Sequence, residues 1–430
     1  MKKNILVYKF GGASIKDVEG IRNVAGILKQ HAGKKIVVVI SASGKTTNHL
    51  EVVMNAHFNQ TDGIEAALAV VKDHHKMLMD GLFSPHDAIY DEVAALYSEI
   101  SWITAQPRSK DYDFIYDQLV SLGELLSTRI VAAYLNRSGL HTQWIDARSI
   151  IRTDDTYRES QIDWDVTQEN IDTSVKPNLE QGAFVLTQGF IGSTADGYTT
   201  TLGREGSDFT AAILSFCLDA EKMIIWKDVE GVLTGDPRLF KNVQKLPWLS
   251  YKEAIEMTYY GASVIHPKTI KPLQNKNIPL YVQSFLQPDI DGTYIGPDVE
   301  EHYPPIVILD RNQTLLHIAT RDFSFVVEHH MARLFKVFAD LRIFINMMRN
   351  TAISFTVCVP NIPDRIQRLK EILEDEYSVT VEEDLELLTI RHYEEEVLKS
   401  MTKGKIILME ERLRNTVQLV IKDIPLIERI

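Results

Sequence analysis

Residues 9–14, Lys-Phe-Gly-Gly-Ala-Ser, join a short apolar run to an amphipathic one and have the composition of an anion site. The paired glycines Gly11 and Gly12 allow the backbone to approach an anion, and the start of a following helix directs N–H groups and positive dipole towards it. Lys9 adds a full charge. The segment therefore predicts phosphate binding, although a plain strand-to-helix turn with Ser14 as N-cap would use the same residues.

The next loop, residues 41–48, is rich in small and hydroxyl side chains. Its Gly-Lys-Thr is similar to the end of a P-loop, but Val39 stands where that motif needs another glycine, so we reject this interpretation. Ligands nevertheless bind at small-residue loops that follow parallel strands. Ser41 and Thr47 are therefore candidates for hydroxyl contacts to phosphate or substrate.

Two charged side chains could bind an amino acid. Glu124 follows Gly123 in a run of helical periodicity, where glycine costs about 1 kcal/mol relative to alanine. An approaching substrate ammonium would explain the glycine; close helix packing, with Glu124 in solvent, is the alternative. Arg204 offers a planar guanidinium suited to a carboxylate. Ser207 and Asp208 follow at a predicted helix start, where either could simply be the N-cap.

A further loop carries Asp228 and, after a Gly-Asp-Pro turn, Arg238. These residues could hold a nucleotide, although turn chemistry alone would also explain the Gly-Asp-Pro sequence. Two clusters of acids and histidines, residues 73–75 and 328–330, lack the spacing of a helical zinc motif and are expected to be solvated faces. We predict no protein ligands for a metal ion.

These loops need regular elements to position them. Over the first 300 residues apolar runs alternate with amphipathic ones, which predicts an α/β fold with a largely parallel sheet covered by helices. The predicted strands are 5–10, 35–41, 141–146, 183–190, 222–226 and 279–284. The predicted helices are 15–31, 114–136, 208–218 and 252–258, with residues 49–107 as a helical insertion.

A different pattern follows two prolines at 304 and 305. Residues 313–384 have the order of one complete βαββαβ unit, a ferredoxin-like module. A second copy starts at 385 and lacks its own last helix and strand. Residues 305–310 are expected to donate the missing strand, because an unpaired edge would otherwise be exposed.

Composition limits the class of protein. The 430 residues are 45% hydrophobic and 24% charged with a formal net charge of −13, which predicts two or three globular domains at roughly 150 residues each. The acidic balance argues against nucleic-acid and membrane-surface partners. Cys217 and Cys358 are too few for a disulfide framework, and no run of about 18 apolar residues occurs, so a cytoplasmic protein is expected.

Together these loops resemble aspartate kinase, a member of the amino-acid kinase superfamily, over essentially the whole chain. The similar family motifs are Lys-Phe-Gly-Gly-Thr-Ser at 9–14, the Gly-Glu helix at 121–124, Gly-Arg-Gly-Gly-Ser-Asp-Tyr-Thr at 203–210, the nucleotide loop at 227–238 and Gly-Ala-x-Val-x-His-Pro at 260–267. The two C-terminal modules resemble the paired ACT domains of the family.

The resemblance implies transfer of the γ-phosphoryl group of ATP to the side-chain carboxylate of L-aspartate, the first step of lysine, threonine and methionine biosynthesis, with Mg²⁺ bound through the ATP phosphates. The implied catalytic residues are Lys9 and Asp208, and the implied aspartate-binding residues are Thr47, Glu124, Arg204 and Ser207. The implied ATP or phosphate contacts are Lys9, Gly11, Gly12, Ser41, Lys227, Asp228, Leu233, Arg238 and Ser263.

The resemblance also implies domain boundaries and an assembly. The catalytic domain would span 1–300, ACT module 1 would span 313–384, and an incomplete ACT module 2 would comprise 305–310 plus 385–430. The chain would form a homodimer through these modules. Asn346 stands where a carboxylate of the family often holds an effector's amino group, which predicts little or no response to lysine.

Several positions depart from the family. They are Ala13 for Thr, Glu205 for Gly, Lys227 for Thr or Ser, Leu233 for an aromatic residue and Ser263 for Lys. Lys227 could replace the missing positive charge. Two other functions stay open: a kinase of another amino acid in the same superfamily, and a non-catalytic ACT-based amino-acid sensor.

Overall fold

The computed structural model describes residues 4–107, 111–262, 265–297, 299, 302–322 and 324–424. The chain divides into two compact units, the first made of Met1–Val232, Lys245–Ile255 and Ser263–Glu301, and the second of Leu233–Gln244, Glu256–Ala262 and His302–Ile430. Residues 233–244 and 256–262, which the predicted catalytic domain includes, thus belong to the second unit.

Up to residue 297 strands and helices alternate. The strands are β1 Ile5–Phe10, β2 Lys35–Ile40, β3 Thr142–Ile145, β4 Phe184–Gln188, β5 Ile191–Ser193, β6 Thr199–Thr201, β7 Lys222–Lys227, β8 Trp248–Ser250, β9 Leu280–Ser284 and β10 Thr293–Gly296. The helices are α1 Val18–Gln30, α2 Thr46–Asn59, α3 Ile64–Leu82, α4 Ile89–Ala105, α5 Tyr112–Val120, α6 Leu122–Arg137, α7 Ala147–Ile150, α8 Trp164–Ser174, α9 Lys176–Glu180, α10 Gly206–Cys217, α11 Tyr251–Tyr259 and α12 Pro267–Asn275.

The predicted parallel sheet is confirmed. Its order is β3-β4-β2-β1-β7-β9-β10-β8, and the six strands from β3 to β9 pair in parallel. The central strand β2 is buried along almost its whole length, as expected for an apolar run covered on both faces by helices. Because parallel strands end at the same edge, this sheet brings the loops after β1, β2 and β7 together.

Two predicted helices differ in detail. The run 114–136 forms α5 and α6, which are separated at Ser121. The run 15–31 begins as a 3₁₀ turn, Gly12–Ile15, and α1 starts only at Val18, where Asp17 Oδ1 accepts from Gly20 N at 2.7 Å. Asp17 is therefore the N-cap, and the alternative in which Ser14 caps the helix is wrong.

The second unit contains a six-stranded antiparallel sheet in the order β12-β13-β11-β14-β16-β15. Its strands are β11 Ile306–Thr320, β12 Met347–Asn350, β13 Ser354–Pro360, β14 Tyr377–Arg391, β15 Lys405–Arg412 and β16 Thr416–Asp423. Its helices after residue 302 are α13 Glu328–Asp340, α14 Pro363–Leu373 and α15 Glu395–Thr402.

The long strands β11 and β14 each serve both halves of this sheet. Residues 306–310 pair with 387–391, and after a register irregularity residues 315–320 pair with 377–382. The separate short strands predicted on either side of residues 311 and 385 are thus continuous.

Within the described ranges, we find no helix with the length and hydrophobicity needed to cross a lipid bilayer.

Candidate active site

A cavity of about 350 Å³ lies where β1, β2 and β7 end. Its lining residues are Lys9, Ser41, Thr47, Glu124, Phe190, Gly203, Glu205, Gly206, Ser207, Asp208 and Lys227. Seven of them were predicted from the sequence as site residues: Lys9, Ser41, Thr47, Glu124, Ser207, Asp208 and Lys227. Segments far apart in the chain therefore contribute cations, carboxylates and hydroxyls to one space.

An ion pair spans one side of the cavity. Lys9, near the end of β1, places its Nζ 2.6 Å from Asp208 Oδ1 in the first turn of α10, and both side chains are largely buried. Burial shields the pair from solvent, so the lysine is held in one position. A fixed ammonium beside a helix N-terminus is suited to bind phosphoryl oxygens.

The glycine segment packs backbone to backbone against the loop after β2. A Cβ on Gly12 would lie 2.4 Å from the Ala42 carbonyl oxygen, and Gly44 N donates to the Gly12 carbonyl at 3.0 Å. Only glycine fits this contact. The predicted direct entry from the glycines into an α-helix is wrong, because the 3₁₀ turn Gly12–Ile15 intervenes before α1. The first turns of α2, α6 and α10 all contribute lining residues to the cavity: Thr47, Glu124, and Gly206 to Asp208, respectively.

Glu124 is buried in the wall of the cavity. Its Oε1 accepts from Ala42 N at 3.3 Å, and its Oε2 has no hydrogen-bond partner in the described part of the chain. Burial raises the pKa of Glu124 to about 8. A buried carboxyl in the wall of a cavity, with one oxygen unsatisfied, is suited to a cationic ligand group.

Gly123 and Glu124 have separate roles. A Cβ on Gly123 would lie 3.2 Å from the Leu50 and Thr46 side chains, so the glycine allows α6 to pack closely on α2. That part of the packing alternative is correct. The other part, a solvated Glu124, is wrong, since this side chain is only 3% exposed.

Other predicted site residues are not among those lining the cavity. Arg204 and Asp228 are exposed. Leu233 and Arg238 belong to the second unit, where Arg238 pairs with Asp236. Ser263 lies outside the described residues. Their predicted roles in binding aspartate or ATP therefore stay predictions.

Phe190, which sequence reasoning missed, also lines the cavity. It has a φ of 73°, a left-handed conformation that non-glycine residues rarely adopt, and its N–H donates to Thr210 Oγ1 at 3.0 Å. The only available signal was its position at the end of the predicted strand 183–190, next to Gly189. Side-chain chemistry alone gave no reason to select an aromatic residue.

Glu205 is a second cavity residue whose local role the sequence did not show. It has a φ of 53°, and its Oε2 accepts from His266 N at 2.9 Å, at the start of α12. The carboxylate therefore links the start of α10 to the start of α12. The sequence did mark this position, because Glu205 stands where the similar family motif, Gly-Arg-Gly-Gly, has a glycine.

Asp117 holds the chain just before the cavity loop that starts at Gly203. Its Oδ2 accepts from Arg158 N at 3.0 Å and Thr201 N at 2.8 Å, and its Oδ1 accepts from the Thr201 hydroxyl at 2.7 Å. Burial raises the pKa of Asp117 to about 6, although these hydrogen bonds favour the ionised form and lower the pKa. The residue fixes the end of β6, from which the chain enters the cavity loop that starts at Gly203.

In the first cluster, the expectation of a solvated face holds for the exposed Asp73 and is wrong for His74 and His75. His75 is buried, its Nδ1 lies 2.8 Å from the Val71 carbonyl oxygen, and burial lowers its pKa to about 4. His74 is half-buried and lies 2.9 Å from Ser43 Oγ. In the second cluster, Glu328 and His329 are exposed. The described chain contains no group of three or more His, Cys, Asp or Glu placed to hold a metal ion.

Comparisons with known proteins show the family of this chain. The model of the amino acid kinase family matches residues 4–284. The chain is 32% identical over 358 residues to lysine-sensitive aspartokinase 3 of Escherichia coli K12, covering 81% of this chain and 77% of that protein. It is also 32% identical over 394 residues to the chloroplastic aspartokinase 1 of Arabidopsis thaliana, covering 88% and 66%.

Solved structures are similar over nearly the whole chain. The structure of E. coli aspartokinase III in complex with aspartate and ADP matches with a TM-score of 0.82 and 30% identity, covering 97% of this chain and 96% of that one. The complex of the same enzyme with lysine and aspartate matches with a TM-score of 0.80 and 29% identity, covering 97% and 95%.

Proposed function

This chain belongs to the amino acid kinase family and, within it, to the aspartokinases, and we propose that it phosphorylates the side-chain carboxylate of L-aspartate with ATP. The products are 4-phospho-L-aspartate and ADP. One observation carries the proposal: the Lys9–Asp208 ion pair and the buried, half-satisfied Glu124 carboxyl share one cavity. An anion-binding group and an ammonium-binding group are what ATP and an amino acid require.

The reaction needs no general base. The side-chain carboxylate of aspartate has a pKa of about 3.9, so it is already ionised at neutral pH. One of its oxygens forms a bond to the γ-phosphorus while the bond to the β–γ bridging oxygen breaks and ADP leaves. Catalysis then depends on alignment and on offsetting charge at the transferring group.

Lys9 provides the protein's cation for that charge. Aspartate and ATP are both anionic, and their repulsion must be offset where they meet. Lys9 and the backbone N–H groups of Gly11 and Gly12 would bind the phosphoryl oxygens, while Asp208 orients Lys9. Mg²⁺ bound through the ATP phosphates would supply further positive charge, and a magnesium ion held in this way needs few ligands from the protein.

Aspartate would be recognised by groups that do not react. Glu124 would bind the α-ammonium, because its Oε2 is unsatisfied and buried. Thr47 and Ser207 line the same cavity and would contact the substrate. Arg204 would bind the α-carboxylate, which requires its exposed side chain to turn inwards.

The nucleotide would extend from the phosphate end of the cavity. Lys227 lines the cavity and would supply positive charge to ATP in place of the lysine that the family often has at 263. Ser41 would contact a phosphate, and Asp228, Leu233, Arg238 and Ser263 are the further proposed nucleotide contacts.

Three broader statements belong to the same proposal. The six-stranded sheet of the second unit would be a pair of ACT modules that share β11 and β14, and these modules would join two chains in a homodimer. The enzyme would act in the cytoplasm, which fits its two buried free cysteines.

A direct test compares substrates. The purified chain with ATP and Mg²⁺ should release ADP in the presence of aspartate and far less with glutamate. Comparable turnover of glutamate would support a kinase for another amino acid. Absence of turnover with either substrate, combined with binding of a free amino acid, would support the sensor.

A further inference from the structure

The loop after β2, residues 41–44, touches two parts of the proposed site. Gly44 N donates to the Gly12 carbonyl at 3.0 Å, and Ala42 N donates to Glu124 Oε1 at 3.3 Å. The first residue of the loop lines the cavity itself. A shift of this loop would therefore displace the glycine segment and the Glu124 carboxyl together.

Ser43 anchors the loop through its backbone and its side chain. Its N–H donates to Ser127 Oγ at 2.7 Å, and its hydroxyl lies 2.7 Å from the Ile15 carbonyl oxygen and 2.9 Å from His74 Nε2. A hydroxyl has one proton, and a carbonyl can only accept. The Ser43 hydroxyl therefore donates to Ile15 and accepts from His74, which assigns the imidazole proton to Nε2.

His74 reaches this serine from α3, a helix that contributes none of the described residues lining the cavity. Burial and, to a smaller extent, the neighbouring His49 lower the pKa of His74. The imidazole is therefore neutral at physiological pH, and its single N–H is used on Ser43. This contact joins the helical insertion to the proposed site.

We propose that His74 is a positioning residue for phosphoryl transfer: through Ser43 it holds the loop that orients Glu124 and the glycine segment. The inference rests on the proposed function, since it concerns the same cavity. Helix α3 would then contribute to the site through His74 as well as to the packing of the domain. His74 itself touches neither substrate nor phosphate in this arrangement.

Two substitutions separate the hydrogen bond from the bulk of the side chain. The amide nitrogen of His74→Gln can reach the place of Nε2, whereas that of His74→Asn lies near the place of Nδ1 and falls short of Ser43. We expect His74→Asn to raise the KM for aspartate about tenfold, the equivalent of one lost hydrogen bond of about 1.4 kcal/mol. His74→Gln should stay within about threefold of the wild type.

The matched control is His75→Gln, which alters a more deeply buried histidine on the same helix; among the described residues its hydrogen-bond partner is Val71, also in α3. It should lower the melting temperature without changing the KM for aspartate. A purely structural role of His74 would make the asparagine and glutamine variants behave alike, with changes that follow stability.

A double-mutant cycle tests the route of the effect. If His74 acts through the loop on Glu124, the KM increase from His74→Asn should largely disappear in a Glu124→Gln background. Additive effects, or a wild-type KM in His74→Asn, would overturn the inference. Failure of the proposed function would appear differently, as no turnover of aspartate by the wild-type protein.

Discussion

The raised pKa of Glu124 predicts how aspartate binding depends on pH. Burial raises this pKa to about 8, so the carboxyl is mostly protonated at pH 7. An incoming ammonium needs the ionised form, and binding therefore has to release a proton. The apparent KM for aspartate should fall as pH rises towards 8, by roughly fivefold between pH 7 and pH 8.

Glu124→Gln removes the titration while keeping the shape of the side chain. The variant loses a charge-assisted hydrogen bond worth about 1.5–3 kcal/mol, so its KM for aspartate at pH 8 should be roughly 10 to 150 times higher. Its KM should also lose the dependence on pH between 6.5 and 8.5. Glu51→Gln is a suitable control, because Glu51 is a partly buried acid that bonds Tyr116 and is not among the lining residues of the cavity.

The assay is initial-rate ADP release at saturating ATP, with aspartate varied at each pH. A wild-type KM that is flat from pH 6.5 to 8.5 would refute the reasoning about Glu124. So would a Glu124→Gln variant that keeps the wild-type slope, because the titrating group would then be another residue.

Four further predictions concern separate parts of the protein. Lys9→Ala should lower kcat about 100-fold or more, since one transition-state donor is worth roughly 3 kcal/mol; a near-normal kcat would remove Lys9 from the chemistry. Arg204→Ala should raise the KM for aspartate and leave that for ATP within a few-fold; the reverse would place Arg204 in the nucleotide site. Without ligands, Glu124→Gln should melt at a higher temperature than wild type at pH 8: the folded pKa of about 8 exceeds the ordinary 4.5, so the wild type loses stability as pH rises between these values. Inhibition curves should show little effect of lysine, because Asn346 has an uncharged amide that bonds Gln313; half-inhibition below a millimolar would contradict this.

Strands β1, β2, β4 and β7 could be predicted because each is a largely apolar run that is buried along most of its length. The residues near the carboxyl ends of the parallel strands, Lys9, Ser41 and Lys227, could be placed at one edge of the sheet because parallel strands end at the same edge. Their convergence needed no knowledge of tertiary contacts beyond the parallel order of the strands.

The features that could not be predicted depend on contacts between distant segments. The 3₁₀ turn after Gly11 accompanies the close contact of Gly12 with Ala42 and Gly44. The burial of His74 and the strained backbone of Phe190 likewise follow from neighbours that are remote in sequence. In the second unit, β11 and β14 were predicted as shorter strands because local polar residues at 310–313 and 382–384 interrupt the apolar pattern.

The most direct test of the proposed reaction follows an oxygen atom. Aspartate labelled with ¹⁸O in its side-chain carboxylate is incubated with the protein, ATP, Mg²⁺ and hydroxylamine, and the inorganic phosphate is analysed by mass spectrometry. Hydroxylamine attacks the acyl carbon and releases phosphate together with the oxygen that attacked the γ-phosphorus. Our proposal predicts one ¹⁸O in each phosphate and an equal amount of ADP, whereas unlabelled phosphate would contradict it.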